Sequence, residues 1–291
     1  MNLVKTPDNQ VAIAAAGAVE PLVALLKTGS EKAKVLAAGA LMNLVKNPDN
    51  QVAIVEAGAI EPLVALLKTD RESAKVIAAF VLGHLACDPG NRGAIAAAGA
   101  VEPLVALLKT GNDNVKARAA CALMNLACDP DNQVAIAAAG AVKPLIALLK
   151  TGSESAKENA AGVLCNLALN NDNRVAIARA GAVEPLIALL ETGSEKVKKH
   201  AAGALALLAD SPGNQGAIVE AGAIEPLVAL LETGSEEVKM NAARALALLA
   251  RNNDANKVAI AAAGGIRPLV ALLETGSEEV KKNAARALAL L

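Results

Sequence analysis

The chain has 291 residues and a formal net charge of −1, so no overall basic or acidic excess points to nucleic acid or to a membrane surface. Hydrophobic residues make up 54%, yet glycine, proline or charge interrupts every apolar run before the ~18 residues that a membrane span needs. One Phe, with no Tyr and no Trp, excludes a core or an interface built on aromatic anchors. Such a core has to close by near approach of helices, with Ala and Gly at the crossings and Leu, Ile and Val filling the space. The first residues, MNLVKTPDNQ, turn polar after Val4, and no secretory signal is read in them. The four cysteines (Cys87, Cys121, Cys128 and Cys165) sit inside helical patterns, so they are expected to be reduced and buried.

Residues 1–5 (MNLVK) match Met42–Lys46, the tail of a unit whose earlier part is absent. The first full unit, 6–46, breaks into three helical pieces. Asp8 or Asn9 caps a short first helix that reaches Ala16, and Gly17 ends it. Pro21 falls in the first turn of a second helix, where its missing N–H costs nothing, and Leu22, Val23, Leu25 and Leu26 form its buried side. After the turn Thr28-Gly29-Ser30, Ser30 caps a third helix over 31–46. Its core stripe is Ala33, Ala37, Ala40, Leu41 and Leu44, at three- and four-residue spacing. The unit then recurs as 47–87, 88–128, 129–169, 170–210, 211–252 and 253–291. The marker glycines Gly17, Gly58, Gly99, Gly140, Gly181 and Gly222 are spaced by 41; Gly264 follows after 42, the extra residue lying in the loop Asn252–Ala255. No segment alternates with period two, so no strand is expected.

A short helix, a glycine kink, a proline-started helix and a long third helix resemble the armadillo repeat. The blocks AGAVEPLVALL and AAGALMNL carry the likeness over the whole chain; the two-helix HEAT repeat is the nearest alternative. The resemblance implies an all-α fold, a right-handed α-solenoid of about seven three-helix repeats forming one domain over 1–291. The near-identical units, the single aromatic residue and the truncated ends also fit a designed or consensus-like member. Because the terminal units lack a polar outer face, end-to-end self-association is expected.

The resemblance further implies that the third helices line a groove in which an Asn ladder holds the backbone of an extended peptide. The family's Asn position falls on Asn2, Asn43, Asn125 and Asn166, with His84 in the second full unit and Leu207, Leu248 and Leu290 later. An amide offers donors and an acceptor that match a peptide unit, but it would equally serve to bond neighbouring repeats; both readings stand. Four residues earlier, where family members often carry Trp, stand Gly39, Phe80, Cys121, Gly162, Gly203, Arg244 and Arg286. Without Trp walls, a basic nuclear-import signal is not the expected ligand. One turn further back lie Leu36, Ile77, Arg118, Asn159, His200, Asn241 and Asn283. The candidate peptide-binding residues are therefore Asn43, Phe80, His84, Arg118, Asn125, Asn159, Asn166, Asn241, Arg244 and Arg286. The arginines favour carboxylate or phosphate groups, or else pair with Glu within the stack.

Catalysis requires convergent tuned groups, and only His84 and His200 are present, almost three units apart. No catalytic residue, cofactor or metal is assigned; the set His84, Cys87 and Cys128 lacks a fourth ligand on the same face. The expected partner is an extended peptide or protein segment, rather than nucleic acid or membrane.

Overall fold

The computed structural model describes residues 7–291; Asn2 and the expected partial unit 1–5 lie outside the described residues. Among the described residues the chain is all-α, with a short, a medium and a long helix recurring in order. It forms two compact bodies, one ending at Pro144 and the other spanning Leu145–Leu291.

The second repeat shows how the local sequence dictates the path. The Asn47 side chain accepts the Asp49 N–H at 3.0 Å and Pro48 opens the first helix, Pro48–Glu56. Gly58 then adopts φ +75°, and its N–H bonds to Val55 O at 2.9 Å while the Ala59 N–H bonds to Ile54 O at 3.3 Å. Those two bonds close the orphan carbonyls of the helix end and turn the chain by 91° into the second helix, Ile60–Leu67. All seven marker glycines sit at φ between 75° and 84°. The one non-glycine residue at positive φ among the described residues is Asn252 (φ 59°), in the loop that carries the extra residue.

A side chain at these kinks is strained even where space is open. Gly99 (φ +77°) has no atom within 4 Å of an added Cβ, so Gly99→Ala tests conformation alone. It is expected to lower stability by about 1–2 kcal/mol. Gly93, inside the helix Pro89–Ala97, has equally open surroundings; Gly93→Ala should stabilise by about 0.5–1 kcal/mol. Guanidinium denaturation reads both, and equal shifts in one direction would contradict the assignment of strain to the kink.

The third helices are Glu31–Leu44, Glu72–Leu85 and Asp113–Leu126 in the first body. In the second body they are Glu154–Leu167, Glu195–Ala209, Glu236–Ala250 and Glu278–Leu290. Within each body, consecutive third helices pack on one another. Alanines such as Ala78, Ala79, Ala119 and Ala120 are fully buried, and the approach is close enough that a Cβ on Gly83 would meet the Ala122 backbone at 3.4 Å. Leu41, Leu82 and Leu123 fill the centre without exposure.

The structure corrects several expectations: Asp8 and Asn9 lie inside the first helix, Pro7–Ala15, and do not cap it, and Leu22, Ala33 and Ala40 are only half-buried. Leu25 is 39% exposed, although its counterparts Leu66 and Leu107 are 3% exposed. That position is covered by the second helix of the preceding repeat, and none precedes Leu25 among the described residues. The cysteines are free thiols but not buried: Cys87 and Cys128 are exposed, Cys121 and Cys165 partly so. Cys87 and Cys128 occupy the register of Lys46, just past the C-terminal ends of the third helices at Leu85 and Leu126.

Candidate functional site

The core stripe of each third helix points the intervening positions outward, and these form the face on which the candidate residues sit. In the first body Leu36 is 65% exposed, Arg118 is exposed, and Phe80, His84 and Asn125 are partly buried. Phe80 is the centre of a small cluster. His84 stacks on its ring with centroids 4.0 Å apart and donates from Nδ1 to Phe80 O at 3.0 Å. From the following repeat, the Arg118 guanidinium lies 5.0 Å from the ring centroid; from the preceding repeat, Lys46 Nζ lies at 5.9 Å. Burial pushes the His84 pKa below its ordinary value, and repulsion from Arg118 and Lys46 adds to this against the bond to Phe80 O.

The ladder asparagines make different bonds. Asn43 Nδ2 donates to Gly39 O in its own helix at 3.1 Å, and its Oδ1 accepts from Lys46 at 3.5 Å. Asn125 Nδ2 reaches the preceding repeat, donating to Gly83 O at 2.8 Å and to Cys87 Sγ at 3.3 Å; its Oδ1 takes no bond among the described residues. Asn166 is partly buried and Asn159 buried, and both are engaged within the protein. In the second body Asn241 Nδ2 donates to Lys199 O of the preceding third helix at 3.0 Å. It passes over Gly203, where a Cβ would come within 3.4 Å of that nitrogen and 3.1 Å of Cys165 Sγ. A side chain at 203 would thus press on both neighbouring third helices, whereas Gly39 has open space. Arg244 and Arg286 form no ion pair among the described residues. No group of three or more His, Cys, Asp or Glu side chains suited to a metal occurs there either.

A second polar ladder escaped the reading of the sequence. In the first helices Asn50, Asn91, Asn132, Asn173, Asn214 and Asn256 each donate to the last carbonyls of the preceding third helix, at 2.8–3.2 Å. The recurring Pro-Asp-Asn-Gln segment was its signal, absorbed there as helix capping. Asp210 is likewise held between Arg174 (2.6 Å) and Arg251 (3.0 Å). Glutamates at the starts of third helices also cross repeats: Glu154, Glu195 and Glu236 accept the backbone N–H of Ser194, Ser235 and Ser277 at 2.7–2.9 Å. Those bonds hold all three carboxyl pKa values below the ordinary range.

The model of the plant U-box protein ARM repeat region matches residues 1–212, and that of the armadillo/beta-catenin-like repeat matches residues 211–251 and 253–291. No curated protein sequence matches. Among solved structures, an engineered protein is 40% identical with a TM-score of 0.91, the match covering 99% of this chain and 72% of that one. A designed armadillo repeat protein in complex with the peptide (KR)4 is 33% identical with a TM-score of 0.72, over 79% of this chain and 98% of that one. A structure described as computationally designed armadillo repeat proteins for modular peptide recognition is 34% identical with a TM-score of 0.74, over 80% and 99% respectively.

Proposed function

The chain belongs to the armadillo repeat family, and on that footing we propose that it is a non-enzymatic scaffold whose third-helix face binds an extended peptide segment. The observation that carries this reading is register. Packing of consecutive third helices brings Leu36, Ile77 and Arg118, then Asn43, His84 and Asn125, onto one face of the first body at one position per repeat. A strand of peptide repeats its own N–H and C=O at a fixed step, so a polar group recurring once per repeat can meet it. Asn125 Oδ1 is open to such a donor. The designed relatives 33–34% identical to this chain, described as recognising or holding peptides, support the same use.

One observation favours a second reading, a designed scaffold whose asparagines serve only the stack. Asn125 and Asn241 both donate to the preceding repeat's third helix. A peptide-display selection separates the two, run on the parent chain and on a variant with Asn43, Asn125 and Asn166 changed to Ala. Binding reading: peptides enrich on the parent and lose affinity about tenfold or more on the variant, with both proteins folded by circular dichroism. Scaffold reading: no sequence enriches on either, while the variant melts at a lower temperature.

A further inference from the structure

We infer that the peptide taken by the third-helix face of the first body is acidic, its Asp or Glu side chains meeting Arg118 and Lys46. This inference rests on the peptide-binding reading. The charge along the face is one-sided although the whole chain carries −1. Across the three outward register rows that start at Leu36, Gly39 and Asn43, the charged residues are Arg118, Arg244 and Arg286, and no Asp or Glu occurs. Carboxylates that border these rows in the second body are paired. Glu237 pairs with Lys199 at 2.7 Å, Glu279 with Lys282 at 3.7 Å, and Asp210 with both Arg174 and Arg251. Arg244 and Arg286 have no such partner among the described residues, and Arg118 is engaged only with the Phe80 ring.

A guanidinium over an aromatic face keeps its outer N–H edge free, and that edge offers two parallel donors that fit a carboxylate. Phe80 holds the Arg118 group in place, which lowers the entropy lost when a carboxylate arrives. Exposed Leu36 and half-buried Ile77 lie beside this site on the preceding third helices. A chain alternating acidic and apolar side chains would match that mixture.

The test uses fluorescein-labelled octapeptides alternating Glu–Leu, Gln–Leu and Lys–Leu, titrated by anisotropy against the intact chain at 50 and 300 mM salt. The Glu–Leu peptide should bind at least about tenfold tighter than the other two and weaken as salt rises. Arg118→Glu and Lys46→Glu should each reduce its affinity several-fold and together at least about tenfold. Arg118→Gln, which removes charge without reversing it, should fall between. These side chains lie outside the core, so circular dichroism should show parent-like folding. Equal or tighter binding of Lys–Leu or Gln–Leu would overturn the acidic preference while leaving the peptide-binding reading intact. Failure of all three peptides on folded protein, together with an empty display selection, would overturn both.

Discussion

Leu123→Ala is expected to destabilise the first body by about 2–5 kcal/mol. Leu123 has no exposure, and its helix, Asp113–Leu126, packs against both Glu72–Leu85 and the second helix of its own repeat, Val101–Thr110. The neighbouring Ala119, Ala120 and Ala122 are fully buried and carry no side-chain reach with which to refill the space. A stack of repeats is stabilised as a sum of units and nearest-neighbour interfaces, so the loss should stay local. Amide hydrogen exchange should therefore rise first in repeats 88–128 and 47–87, and the denaturant midpoint should fall. Leu36→Ala is the matched control: at 65% exposure it should change stability by less than about 0.5 kcal/mol. Similar effects of the two substitutions would mean that the third helix is packed through a different face.

Asn214→Ala should cost about 1–3 kcal/mol, more than its exposed-amide counterparts on the third-helix face. Its side chain is 5% exposed, and Nδ2 donates both to Leu208 O at 3.0 Å and to Arg174 O at 3.3 Å. Removing it leaves two carbonyls without that donor at a site from which water is largely excluded. One belongs to the end of the third helix Glu195–Ala209 and the other to the adjacent first helix Asn171–Arg179. Asn43→Ala offers the contrast, because Asn43 bonds only within its own helix and to a lysine from the same turn. Alanine is the better helix former, so Asn43→Ala should be close to neutral. Thermal or denaturant unfolding of both variants gives the comparison. A costly Asn43→Ala with a neutral Asn214→Ala would reverse the roles assigned to the two asparagine ladders.

The sequence by itself determined the period, the three helices of each repeat and the kink between the first two. Those features depend on interactions within a few residues: Asn or Asp accepting from N–H groups two or three positions on, Pro at the helix start, and a glycine at positive φ. It also determined the outward rows of the third helix, since three- and four-residue spacing separates Leu41 and Leu44 from Leu36 and Asn43. Only the tertiary structure decided what the polar groups bond to. Asn125 and Asn132 look alike in sequence, both being asparagines at a helical position in a recurring block. Yet Asn125 crosses to Gly83 O, 42 residues earlier, while Asn132 reaches back six residues to Leu126 O. Exposure of Leu25 was hidden for the same reason. Whether such a position is covered depends on which neighbouring helix lies against it, and local periodicity carries no information about a surface supplied by another repeat.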